Sequence, residues 1–82
     1  LNRLVVITYV IQTVLTRKVA PHTIGLATTP KHVQEFIQTC GDEVIAPSTE
    51  IIQEVMDMLV KMNLLKIYGK IKGSHTTYTV TD

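Results

Sequence analysis

The chain is poor in the residues that build redox or metal chemistry. Its 82 residues include one cysteine, Cys40, so no internal disulfide can form and the disulfide-stapled secreted scaffolds are excluded; an intracellular protein is expected. His22, His32 and His75 stand far apart, with no CxxC pair and no carboxylate at ligand spacing. No metal site is expected, and the histidines read as surface or loop residues. Cys40 falls on an apolar helical stripe, where the expected role is that of a small buried hydrophobe. A long hydrophobic run is also missing. The apolar segment at 1–15 is interrupted by Asn2, Arg3, Thr8, Gln12 and Thr13, is too short to cross a bilayer, and lacks the cleavage pattern of a signal peptide. "GKIKGS" at 69–74 carries glycines and lysines without the GxxxxGK[ST] spacing, and it leads a strand into a turn, so it is not a phosphate loop. With no catalytic set, no cofactor motif and no small-molecule site, a non-enzymatic role is expected.

What is present is a globular composition, 45 % apolar and 18 % charged, at a length that suits one domain spanning 1–82. Leu1 rather than Met opens the chain, so the domain is expected to be a piece of a longer protein.

Hydrophobic spacing lays out the elements. Leu4, Ile7, Val10, Ile11, Val14 and Leu15 predict a first helix over 1–17. Residues 17–27, with Pro21 and Gly25, read as a connection with room for a short strand. In "TTPKHVQEFIQTCG" Thr29 suits an N-cap and Pro30 the first helical position. Val33, Phe36, Ile37 and Cys40 form that helix's stripe, and Gly41 suits its C-terminal stop. "DEVIAP" is a turn with a short extended piece, after which Ser48 or Thr49 caps a third helix reaching about Met62. On that helix Ile51, Ile52, Val55, Met56, Met58, Leu59 and Met62 fill about half the circumference. Glu50, Gln53, Glu54, Asp57 and Lys61 occupy the opposite arc. "LLKIYGK" alternates as a strand, Leu65 and Ile67 on one face and Lys66 and Tyr68 on the other. "TTYTVT" returns as a second strand, with Tyr78 and Val80 on its apolar face. The expected class is α+β: a winged helix-turn-helix, three helices followed by a C-terminal β-hairpin wing.

Charge is segregated along this layout. No lysine or arginine lies between positions 31 and 61, a stretch holding Glu35, Asp42, Glu43, Glu50, Glu54 and Asp57. From 61 to 81 the balance inverts, with Lys61, Lys66, Lys70 and Lys72 and no acid. A groove-reading third helix would present Glu50, Glu54 and Asp57 to a polyanion, which favours the wing as the nucleic-acid contact. Lys66, Lys70, Lys72 and His75 are the expected DNA-binding residues there, joined by Ser48, Thr49 and Gln53 at the start of the helix. Such phosphate contacts position without specifying sequence, so binding to double-stranded DNA is expected to be weakly selective. The alternative is a protein-interaction module that docks a partner on the acidic face, through Glu50, Glu54 and Asp57, or on the hairpin edge.

"LNRLVVITYVIQTVL", "HVQEFIQTC" and "STEIIQEVMDMLVKMNLLKI", followed by a lysine-bearing hairpin, together resemble the C-terminal winged-helix domain of the archaeal and eukaryotic replication-initiator ATPases of the origin-recognition and cell-division-control type. The layout is also similar to the C-terminal winged helix of the middle subunit of replication protein A and its telomere-capping relatives. The resemblance implies a module of a DNA replication or DNA-transaction protein. Its partners would be duplex DNA or a protein subunit of such a complex, with no membrane and no cofactor. It would reside in the nucleus in a eukaryote and in the cytoplasm or nucleoid in an archaeon. Lysines in "GKIKGSHTTY" stand where archaeal members carry an arginine- and glycine-rich wing.

Overall fold

Each helix begins where a polar side chain takes up backbone N–H groups that have no helical acceptor. In a computed structural model of the chain, which describes residues 2–19, 28–40, 45–71 and 75–80, helix α1 spans Arg3–Val19. The Val5 N–H at its start donates to Asn2 Oδ1 at 2.9 Å. Helix α2 spans Pro30–Thr39 behind an N-cap at Thr29, as expected, with Pro30 at the first position. His32 completes a reciprocal cap: its N–H donates to Thr29 Oγ1 at 3.3 Å, while its Nδ1 accepts from the Thr29 N–H at 3.1 Å. Helix α3 spans Thr49–Lys61 behind Ser48, whose Oγ accepts from the Ile51 N–H at 3.3 Å. The expected connection at 17–27, apart from Arg17–Val19 in α1, and the proposed stop at Gly41 lie outside the described residues.

The end of α3 is set by Asn63, which adopts a left-handed φ of 62°. The Asn63 N–H donates to Val60 O and the Leu64 N–H reaches back to Leu59 O, each at 3.0 Å. This is a Schellman stop, with asparagine in the place glycine usually takes. It turns the chain directly into strand β1, Leu65–Ile71, which pairs antiparallel with β2, His75–Val80. The architecture is α+β, three helices followed by a two-stranded hairpin. Thr28, just ahead of α2, adds an isolated antiparallel bridge to Tyr78, with N–H···O bonds of 3.0 and 2.8 Å. β2 therefore lies between β1 and Thr28, which explains why Thr77, Tyr78 and Thr79 are all buried.

One core is shared by all five elements: Val6, Val10 and Val14 from α1, Val33 and Ile37 from α2, Ile52, Val55, Met56 and Leu59 from α3, and Leu65 and Tyr78 from the hairpin. Three expectations are corrected here. On α1 the buried ridge is Val6, Val10 and Val14 with Thr13, whereas Leu4 is 75 % exposed and Leu15 46 %. Apolar residues cover more than one face of α1, and packing against α2, α3 and β2 selects the valine ridge. On β1, Leu65 is buried but Ile67 is 56 % exposed, because β1 is the outer lane of the ladder and, among its described side chains, Leu65 is the one in the core. Cys40 is exposed: it lies past the last residue of α2, where its thiol donates to Phe36 O at 3.4 Å. Among the described residues no helix is long and apolar enough to cross a membrane.

Candidate nucleic-acid interface

The candidate surface is built from the start of α3 and the hairpin that follows it. A side-chain bond sets the approach to α3, with Gln34 Nε2 donating to Pro47 O at 3.1 Å and tying α2 to the residue before the Ser48 cap. Ser48 is exposed and Thr49 half-buried. The Ser48 oxygen is engaged as an acceptor by the cap, which leaves its O–H available to donate at the positive end of the helix dipole. Glu50 and Glu54 are exposed on the outer arc of α3, with Lys61 one turn from the hairpin.

Gln53 and Asp57 have a further duty. The Tyr78 hydroxyl, carried by β2, donates to Asp57 Oδ1 at 2.5 Å. Burial pushes the Tyr78 phenol well above its ordinary value; the hydrogen bond to Asp57 and the charge of its carboxylate add to this, and Gln53 on the same hydroxyl opposes it. Of the seven side chains the sequence assigns to DNA, Gln53 is thus partly committed to fixing the hairpin against α3. Of the three assigned to a partner, Asp57 is committed in the same way. Both residues are exposed, and their positions four apart on one helix face let them bracket one tyrosine oxygen.

On the hairpin, Lys66 is exposed opposite Thr79, and Lys70 and His75 are described through their backbone pairing with Thr76 and Ile71. Lys72 lies outside the described residues. The ladder slips between Ile67 and Gly69: Ile67 pairs Tyr78 and Gly69 pairs Thr77, so Tyr68 is the extra residue of a β-bulge. The Thr77 hydroxyl donates to Gly69 O at 2.8 Å and pins the bulge. Tyr68 is 56 % exposed beside an equally exposed Ile67. Sequence reasoning placed Tyr68 on the outer face of the strand but did not find the bulge; the adjacent Gly69 was the signal for it.

A concavity of about 240 Å³ lies between α1 and α2 and is lined by Arg17, His32, Glu35, Phe36 and threonines of both helices. It was not foreseen, because its residues come from two helices. Its threonine hydroxyls are spent on helix carbonyls: Thr13 donates to Tyr9 O at 2.7 Å, Thr16 to Gln12 O at 2.8 Å and Thr39 to Phe36 O at 2.7 Å. His32 Nδ1 is held by its own cap, so the neutral ring carries its proton on Nε2. Burial lowers the His32 pKa, as does the charge of Arg17, with Glu35 opposing; burial likewise lowers that of Arg17. Beyond this cleft, Tyr9 meets the Phe36 ring edge-on at 6.0 Å, and hydrogen bonding to Cys40 pushes the Tyr9 phenol upward. Among the described residues no group of three or more potential metal-ligating side chains occurs.

Comparison with protein-family models, with curated proteins and with solved structures gives no match.

Proposed function

We propose that the chain is a winged-helix module of a DNA-transaction protein that contacts duplex DNA mainly through its hairpin, the wing, with little sequence selectivity. The element order supports the fold: a helix, the bridged residue Thr28, two further helices joined by a short connection, and a hairpin whose second strand pairs with that bridge. One observation carries the functional reading. On the hairpin, positive charge and exposed apolar side chains coincide, with Lys66, Ile67 and Tyr68 consecutive on β1 and Lys70 and Lys72 following in sequence. The outer arc of α3 carries Glu50 and Glu54 instead, which phosphates would repel.

A second reading is favoured by the flank of α3. Ile51 is 49 % and Met62 57 % exposed, and with half-buried Met58 they line one side of the helix next to Glu54. An apolar stripe with an acidic rim suits a basic amphipathic helix from a protein partner.

Fluorescence anisotropy with a labelled duplex, at low and near-physiological salt, tests the first reading. For about four phosphate contacts, affinity falls roughly a hundredfold between 50 and 200 mM salt. Lys70→Glu with Lys72→Glu abolishes the binding, and Glu50→Lys with Glu54→Lys preserves or strengthens it. Absence of binding at low salt overturns the DNA reading.

A further inference from the structure

The bulge at Tyr68 serves no purpose in the core. Tyr68 contributes nothing to the buried cluster, and the next residue, Gly69, is not there for lack of room: a Cβ on it would meet only Thr77 Oγ1 at an ordinary 3.7 Å. What the bulge does is interrupt the register of β1 and leave unpaired in the ladder a tyrosine that is 56 % exposed. The bulge is pinned from the opposing strand, where the Thr77 hydroxyl donates to the carbonyl of Gly69 at 2.8 Å and Thr77 itself is 5 % exposed. Lys66, two residues earlier on the same strand, is exposed as well, and the segment 61–81 contains four lysines and no acid.

An exposed aromatic ring on a lysine-bearing strand is the arrangement that binds unpaired bases: the lysines follow the phosphates and the ring stacks on a base face. In an intact duplex the base faces are covered by their neighbours, so such a ring has nothing to stack on. We infer that Tyr68 is a base-stacking residue, and that the hairpin prefers DNA with a single-stranded tail over a blunt duplex. This rests on the nucleic-acid reading above and deepens it. Charge complementarity is what selects nucleic acid as the occupant, because the segment 61–81 carries four lysines in sequence and no carboxylate to recruit a basic partner.

The test compares a blunt duplex with the same duplex bearing a single-stranded thymidine tail, by anisotropy at low salt. The expected result is tighter binding of the tailed DNA. Tyr68→Ala loses roughly tenfold on the tailed DNA, the scale of one base–aromatic stack, and little on the blunt duplex, while Tyr68→Phe keeps the preference. The chain has no tryptophan, so Tyr68→Trp places a single indole at the site, and oligothymidylate is expected to quench its fluorescence. Equal, lysine-dependent binding of both DNAs, or a Tyr68→Ala loss equal on both, overturns the stacking role and leaves the nucleic-acid reading standing. Failure of the wild-type chain to bind either DNA overturns both.

Discussion

Tyr78 of β2 and Asp57 of α3, 21 residues apart in sequence, are joined by a hydrogen bond of 2.5 Å from the phenol to the carboxylate. Tyr78 is fully buried and its hydroxyl meets an exposed carboxylate of α3, so this bond sets where the hairpin stands relative to that helix. It predicts that Tyr78→Phe, which keeps the ring and removes the bond, costs about 1.5–3 kcal/mol in urea denaturation, the scale of a bond to a charged acceptor. Asp57→Asn retains an acceptor and costs less. A double-mutant cycle should give a coupling of the same order between the two sites. Because the folded phenol titrates above the ordinary value of about 10, its contribution is complete below that pH and is lost as pH rises beyond it. Tyr78→Phe is expected to remove that alkaline loss.

Asn63 holds a left-handed conformation with φ 62° at the junction of α3 and β1. Asn63→Gly is expected to be neutral or slightly stabilising, since glycine takes this conformation without strain. Asn63→Ala is expected to cost about 1 kcal/mol. Thermal unfolding of the two variants measures the difference, and equal melting temperatures would refute the assignment of the Schellman stop.

His32 contributes a pH dependence at the other end of the domain. Burial and Arg17 lower its pKa in the folded state, so the unfolded chain binds the proton first as pH falls. Stability is complete above the unfolded value of about 6.5, decreases as pH falls below it, and levels off once pH is below the folded value. Protonation also removes the Nδ1 acceptor that holds the Thr29 N–H. His32→Gln retains a side-chain acceptor for the reciprocal cap and is expected to flatten the melting temperature between pH 7 and 5. His32→Ala should also flatten it but lower stability throughout.

The two faces of α1 give opposite results on truncation. Val10 is fully buried and Leu4 is 75 % exposed. Val10→Ala is expected to cost about 2 kcal/mol, from lost burial and the cavity left behind. Leu4→Ala is expected to fall within about 0.5 kcal/mol of the wild type. Denaturant midpoints of the two variants decide which ridge faces the core.

The contrast between caps and faces shows what kind of information each stretch carries. Thr29 with Pro30, Ser48 ahead of Glu50, and the asparagine in "MNLL" act within one helical turn, through bonds the neighbouring backbone makes, so the starts of α2 and α3 and the end of α3 are readable from residue order alone. The period-two run of β1 likewise announces a hairpin after the last helix. The buried face of α1 is not readable in this way. Leu4, Ile11 and Leu15 form as regular a stripe as Val6, Val10 and Val14, and only contact with α2, α3 and β2 separates them. The charge segregation that singles out the hairpin is a property of sequence. The bulge at Tyr68 depends on the register of β1 with β2, and the commitment of Asp57 to Tyr78 depends on how the hairpin folds back on α3. Local chemistry, acting over three or four residues, therefore determined the elements and their ends. Long-range packing, acting between residues far apart in the chain, decided which of the competing surfaces is core and which faces outward.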